Sequence, residues 1–180
     1  RGLTPETLWF ASEVSTNERA KNDLKELFDG IAVFYTPKPV ELVKMMLRIA
    51  AKDGIVLDFF AGSGTTAQAV MDMNREDGGG RNFILVQLPE LSRDGEEAQG
   101  AGFTTISDIC KERIRRAGTK LLESAGQGVL GQTHPMDIGF KVFKLDSSNL
   151  KTWDSTNISA EEQMTLLGRL NAMIERVKLD

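Results

Sequence analysis

The residues best suited to chemistry lie in one short segment, where two glycines separate an apolar stretch from a helix-forming one. Gly62 and Gly64 are one residue apart. Three hydroxyl side chains surround them: Ser63, Thr65 and Thr66. Glycines at such a turn let backbone N–H groups approach a ligand closely, and the positive end of the following helix attracts negative charge. The segment favours a nucleotide-like cofactor, although a plain tight strand-to-helix turn would show the same spacing.

Three cofactor classes compete for this turn. The phosphate loop of nucleoside triphosphatases requires a Gly-Lys pair, which the chain lacks. A nicotinamide site is satisfied in its looser form by Gly62, Gly64 and Ala67, but it expects an acid where Gln87 stands, with Glu90 three residues further on. Asp58 lies inside the preceding apolar stretch, and a carboxylate is costly to bury without a partner. An acid at that place points to a methionine-type cofactor, whose ammonium group needs an anionic neighbourhood.

The segments around the turn have the pattern of a βαβ unit. Residues 55–60 are nearly continuously apolar, which predicts a strand buried on both faces of a parallel sheet. Residues 65–74 have helical propensity and spacing, and residues 82–88 form a second apolar run. The sequence therefore predicts an α/β fold with a mostly parallel sheet.

Further elements are predicted on both sides of this unit. Apolar periodicity predicts helices from Asn17 to Gly30, after Pro39, and over residues 105–124. Residues 31–35 and 140–145 have strand-like patterns, and the polar residues 89–102 predict a mobile surface loop. A capping box at Ser159 and Glu162 precedes a last amphipathic helix.

Composition limits the class of protein. The 180 residues are 41% hydrophobic and carry a net charge of −4, which argues against a nucleic-acid binder with a basic surface throughout. Cys110 and His134 are single residues of their types, so we expect neither a disulfide framework nor a Cys/His metal site. The chain lacks a run of about 18 apolar residues, as a membrane span would need. We expect a cytoplasmic protein without a membrane anchor.

Two motifs resemble those of amino-methylating DNA methyltransferases. VLDFFAGSGTTAQAV (56–70) resembles their S-adenosylmethionine-binding motif, and FYTPKPVELVKMML (34–47) resembles the second cofactor motif, which precedes it in the β-class order. Three further segments are similar to the modification subunit of type III restriction-modification systems: FILVQLPE (83–90), GFTTISDICKERIRRAG (102–118) and DIGFKVFKLDSSNLKTW (137–153). The resemblance implies a Rossmann-like methyltransferase sheet and adenine-N6 methylation of DNA, although cytosine-N4 enzymes share the cofactor motifs.

The resemblance also implies which residues bind S-adenosylmethionine. With Asp58 behind them, five residues would wrap its methionine part: Phe60, Ala61, Gly62, Ser63 and Gly64. Its carboxylate would contact Thr65 and Thr66 at the helix start. The other side would be closed by Thr36, Lys38 and Pro39. The ribose would be bound by Gln87, where the family usually has a carboxylate, or by Glu90.

The acceptor motif of the family is absent from this sequence. It contains two adjacent prolines, and none of the five prolines here are adjacent. We therefore expect the carboxy-terminal, cofactor-binding part of a longer methyltransferase, with an incomplete sheet, no catalytic residue and no activity alone. Residues 1–30 would end a target-recognition region, 31–125 would form the cofactor-binding core, and 126–180 would add a strand and a helix.

Partners follow from the same resemblance. It implies that the protein binds double-stranded DNA, mainly through the missing amino-terminal part. It also implies that the protein associates with a restriction subunit and forms a homodimer. Four basic residues form a stripe on the 105–124 helix: Arg113, Arg115, Arg116 and Lys120. We interpret this stripe as a solvated face, and contact with DNA phosphate is the alternative. His134 is interpreted as a loop residue and Cys110 as a core residue. An NAD(P)-binding oxidoreductase domain and a non-catalytic interaction module remain alternative functions.

Overall fold

The structure is a computed structural model that describes residues 6, 8–50, 52–92, 95–126, 137–145, 164, 165 and 168. Residues 1–140 form one compact unit and residues 141–180 a second. Within the described part of the first unit the chain forms six helices and two strands: α1 (Ala11–Val14), α2 (Asn17–Leu27), α3 (Val40–Ala50), β1 (Asp53–Asp58), α4 (Thr65–Asp77), β2 (Gly80–Leu85), α5 (Gly95–Gly100) and α6 (Ile106–Gly126).

Strands β1 and β2 form a parallel pair, and α4 connects them. The register runs from Asp53 opposite Gly80 to Asp58 opposite Leu85. Helix α4 packs on one face of the pair, where its buried residues meet Val56 and Phe83. The predicted βαβ unit and mixed α/β class are therefore confirmed.

The opposite face of the strand pair is exposed, contrary to the prediction that residues 55–60 are buried on both faces. Ile55 is 68% exposed, and Leu57 and Ile84 are each 49% exposed. In a strand successive side chains point to opposite faces, so a helix on one side covers alternate residues. Within the described residues nothing covers the other side.

Helices α2 and α6 enclose a second part of the core. Thr16 caps α2 by accepting a hydrogen bond from the backbone N–H of Arg19, and Leu24 and Phe28 are buried on one side of the helix. They pack with Val33 and Ile109 in one cluster. Residues 31–35 are consequently an irregular segment, and the predicted strand there is wrong. Val33 is buried against these helices, Ile31 and Phe34 are half-buried against the same cluster, and Tyr35 is exposed.

Helix α3 packs on α4 through its apolar stripe. Leu47 is buried against Ala69 and Val70 of α4. Lys44 is also buried, and its ammonium group forms ion pairs with Glu41 and Glu76. Burial alone would lower the pKa of Lys44, but the hydrogen bonds to both carboxylates raise it overall. The prediction of a helix after Pro39 is confirmed.

Two other expectations are wrong in part. The predicted loop 89–102 contains α5, and the end of the loop is tied by an antiparallel bridge between Leu91 and Thr105. Residues 140–145 are described and are not a strand, because no described segment pairs with them. His134 and the capping box lie outside the described residues. Of the last predicted helix only Met164, Thr165 and Gly168 are described, each in helical conformation.

Candidate cofactor-binding site

The two glycines form the tight turn between β1 and α4. Gly62 has φ of +52° and Gly64 has φ of +85°, which is the left-handed region that side chains with a Cβ rarely adopt. The N–H of Gly64 donates to the carbonyl of Ala61 at 2.8 Å. A Cβ at Gly64 would lie 2.9 Å from Sγ of Cys110. Glycine is thus required at position 64 by both conformation and space.

Asp58 stabilises this turn from the end of β1. Its Oδ1 accepts the backbone N–H of Phe60 at 3.0 Å, and its Oδ2 accepts the hydroxyl of Thr66 at 2.5 Å. The carboxylate is half-buried and not isolated, as its place in an apolar strand requires. It joins the strand end, the turn and the first turn of α4.

Gln87 reaches the same turn from the segment after β2. Its Oε1 accepts the N–H of Gly62 at 2.8 Å, and its Nε2 donates to the carbonyl of Leu88 at 3.2 Å. The backbone of Val86 also bonds to Asp58 and Ala61. Two residues predicted from distant positions, Asp58 and Gln87, therefore meet at the carboxyl ends of the parallel strands. Glu90 is exposed.

The start of α4 presents backbone N–H groups that no described side chain caps. Gly64 is the N-cap residue, and no side chain caps the helix. The first N–H groups of a helix have no partner within that helix. The hydroxyl protons of Thr65 and Thr66 are already donated, to the carbonyl of Lys38 at 3.3 Å and to Asp58. A negatively charged ligand would consequently meet backbone N–H groups here.

The bond from Thr65 to Lys38 brings the segment of residues 36–39 to the glycine turn, as the resemblance implies. Thr36 and Lys38 are exposed, whereas Pro39 is buried at the start of α3. On the surface of the turn Phe60 is 89% exposed. The predicted site residues thus lie on three neighbouring pieces of chain: residues 36–39, 58–66 and 87.

Arg113 is buried against the glycine turn and does not lie on a solvated face. It is 2% exposed, and its Nη1 donates to the hydroxyl oxygens of Ser63 and Thr65, each at 2.8 Å. Its Nε donates to Oε1 of Gln68 at 2.9 Å. Burial lowers the pKa of Arg113 to about 10. The interpretation of a solvated face is therefore wrong for Arg113. Its position among the apolar residues of α6 was the sequence signal for burial.

Arg115 and Lys120 have the expected surface positions, whereas Arg116 is half-buried. The side chains of Arg115 and Lys120 are 58% and 68% exposed, and Arg116 forms ion pairs with Glu112 and Asp29. Cys110 is buried against the turn, as predicted for a core residue, and burial raises the pKa of its thiol to about 11. These residues support the turn or face solvent.

A cavity of about 750 Å³ lies beside Gln68 and Arg113. Residues of α1, α2, α4 and α6 line it with mixed charge, including Asp23, Asp72, Arg75 and Arg113. Burial raises the pKa of Asp72 to about 6, although Lys44 opposes the shift. None of the residues predicted to bind the cofactor lines this cavity.

The DNA methylase family model matches residues 1–117. This chain belongs to the DNA methylase family. The chain is 39% identical over 166 residues to the type III restriction-modification enzyme StyLTI Mod subunit of Salmonella typhimurium, covering 90% of this chain and 24% of that protein. It is 37% identical over 163 residues to the EcoPI Mod subunit of Escherichia phage P1, covering 90% and 23%. The resemblance to type III modification subunits is confirmed.

A second type of enzyme is also similar to this chain. The type II methyltransferase M.KpnI of Klebsiella pneumoniae is 42% identical over 109 residues, which are 60% of this chain and 26% of that enzyme. The chain spans about a quarter of the length of these three relatives. Among its described residues no cluster of three or more possible metal ligands occurs. In the same part of the chain, no helix has the length and apolarity needed to cross a bilayer.

Proposed function

We propose that this chain is the cofactor-binding part of a site-specific, adenine-N6 DNA methyltransferase of a type III restriction-modification system. The convergence of Asp58 and Gln87 on the turn at Gly62 and Gly64 carries the proposal. In parallel α/β sheets ligands bind outside the carboxyl ends of the strands, where this turn lies. We propose that β1, α4 and β2 belong to a larger Rossmann-like sheet.

The residues at the turn fit S-adenosylmethionine, which when bound supplies a methyl group on a positively charged sulfur. The N–H groups at the start of α4 suit its carboxylate. Each oxygen of Asp58 accepts one hydrogen bond within the described residues and has capacity for another, which suits the ammonium group. The amide of Gln87 likewise retains hydrogen-bonding capacity for ribose hydroxyls. We propose that residues 60–66 surround the methionine part of the cofactor. Its other side would be covered by Thr36, Lys38 and Pro39.

The wider role is proposed from the similarity to type III Mod subunits. Residues 1–30 would end a target-recognition region, residues 31–125 would form the cofactor-binding core, and residues 126–180 would extend it. Double-stranded DNA would be bound mainly by a part outside this sequence, together with a restriction subunit and a second copy, in the cytoplasm. Because the sequence contains no acceptor motif, we expect the 180 residues alone to bind the donor and to transfer nothing.

The first test measures cofactor binding. Isothermal titration calorimetry of the protein with S-adenosylmethionine should give saturable heat, and NAD should give none. Asp58→Asn should lower the affinity at least tenfold, because it weakens the acceptor of Phe60 and Thr66. Asp53→Asn is the matched control, since Asp53 lies at the opposite end of the same strand and should leave binding unchanged. Heat with NAD alone, or full affinity in Asp58→Asn, would reject the proposed cofactor site.

The second test identifies the acceptor. The full-length protein is incubated with isotopically labelled S-adenosylmethionine and DNA, and the nucleosides are separated after digestion. We expect labelled N6-methyladenine. Labelled N4-methylcytosine would reject the proposed acceptor and retain the cofactor. Donor binding with no DNA methylation would instead support a non-catalytic module.

A further inference from the structure

Arg113 lies beneath the glycine turn in an environment that is unusual for a guanidinium group. It is almost completely buried, and its three hydrogen bonds go to neutral atoms: Oγ of Ser63, Oγ1 of Thr65 and Oε1 of Gln68. Among the described residues no carboxylate lies within ion-pair distance of it. These bonds leave the charge without an ion pair, although Asp72 and Asp23 interact with it electrostatically from further away. Buried charges are usually paired more closely.

The contacts of Arg113 connect the separate pieces of the candidate site. The hydroxyl of Thr65 accepts from Arg113 and donates to the carbonyl of Lys38, so one side chain joins α6, the start of α4 and the segment of residues 36–39. Ser63, between the two glycines, is held by the same Nη1 atom. A planar guanidinium presents its donors in a fixed arrangement, which a lysine ammonium cannot reproduce.

The charge of Arg113 and the backbone donors of α4 act in the same direction. The N-cap residue of α4 is a glycine without side-chain capping, and the helix start carries a partial positive charge. Arg113 bonds to Thr65, the first residue of that helix. Two positive features therefore lie at one place, and both would be compensated by an anionic group on a ligand.

We propose that Arg113 is a positioning residue of the cofactor site, which holds Ser63 and Thr65 in place and makes the site selective for ligands that carry a carboxylate. This inference rests on the proposed function, because it assumes that the turn binds S-adenosylmethionine. Arg113 acts through the turn, from the side opposite the ligand.

The test compares two ligands that differ in one group. S-adenosylhomocysteine carries the carboxylate, and S-adenosyl-3-thiopropylamine lacks only that group. Calorimetry on the full-length protein should show that Arg113→Met weakens binding of S-adenosylhomocysteine at least tenfold and binding of the amine less than threefold. Arg113→Lys should recover part of the loss, because it restores the charge without both hydrogen bonds to Nη1. Arg115→Met, two residues away on the exposed face, should leave both affinities unchanged.

The remaining outcomes are distinct. Equal losses for both ligands in Arg113→Met would show a merely structural role and overturn the inference, as would unchanged binding of S-adenosylhomocysteine. If thermal melting shows that Arg113→Met does not fold, Gln68→Leu replaces it, since it removes the acceptor of the Arg113 Nε without touching a predicted ligand contact and should give a smaller loss of the same selective kind. If the wild-type protein binds neither ligand, the proposed function fails and this inference fails with it. If the wild-type protein binds S-adenosylhomocysteine but Arg113→Met weakens both ligands equally, only the inference fails.

Discussion

At the residue scale the candidate site depends on side chains that hold one turn from several sides. Asp58 stabilises it from β1, Gln87 from the end of β2 and Arg113 from α6, each through hydrogen bonds of 3.0 Å or less. Two of these three residues were predicted from the sequence. A turn fixed in this way can present its backbone N–H groups to a ligand without reorganising, which lowers the entropic cost of binding.

Substitution of Gly64 tests the geometry of the turn. Gly64→Ala should lower the free energy of unfolding by about 3 kcal/mol, because it combines a left-handed backbone with a close contact to Cys110. Gly78→Ala is the matched control: its φ is +64° but no atom lies within 4 Å, so about 1 kcal/mol is expected. Urea denaturation measures both. Equal losses would show that the contact with Cys110 is unimportant.

Asp72 predicts a pH dependence of stability. Burial raises the pKa of its carboxyl to about 6, above the value in the unfolded chain, so the folded state prefers the protonated form. Its contribution to stability is full below about pH 4 and is lost as the pH rises through 6. Asp72→Asn should therefore stabilise the protein by about 1–3 kcal/mol at pH 7 and have little effect below about pH 4.

Urea denaturation at both pH values checks this expectation. Glu123→Gln on the exposed surface of α6 is the control and should change stability by less than about 0.5 kcal/mol at either pH. A pH-independent effect of Asp72→Asn would contradict the assignment of the titration to Asp72.

At the element scale, α3 links the two predicted cofactor motifs. Its first turn follows residues 36–39, and its buried side packs on α4, which begins at the glycine turn. The packing of α3 on α4 thus determines where Lys38 meets Thr65. Helical periodicity in residues 34–47 was sufficient to predict the helix, but its partner could be identified only in the structure.

Leu47 tests the contribution of this helix pair. Leu47→Ala should lower the free energy of unfolding by about 2–4 kcal/mol, because the side chain is 5% exposed and leaves a cavity against Ala69 and Val70. Met46→Ala, at a neighbouring position that is 48% exposed, should cost less than about 1 kcal/mol. Chemical denaturation of both variants checks the difference, and a larger loss for Met46→Ala would contradict the packing described for α3.

At the scale of the whole molecule the uncovered face of the strand pair stands out. Ile55, Leu57 and Ile84 are exposed together on it. Contiguous apolar patches on soluble proteins mark contact surfaces or promote association. An incomplete sheet, expected from the sequence, stays a prediction.

This face predicts association of the isolated 180-residue chain. Light scattering should show concentration-dependent association, and the double variant Leu57→Ser/Ile84→Ser should reduce it, because it removes apolar area from the patch. Its stability should change little, since neither side chain is buried. Replacement of Met164, an exposed residue of the other unit, by Ser is the control. A monomeric wild-type chain would contradict the prediction.

By itself the sequence determined the βαβ unit, the glycine turn and helices α2, α3 and α6, because periodicity and the conformational freedom of glycine are local properties. The tertiary structure alone decided that residues 31–35 pack against helices without forming a strand and that one face of the strand pair is uncovered. It also decided that Arg113 lies beneath the turn. These outcomes depend on which elements meet, and burial or charge pairing between distant segments has no signature in local spacing.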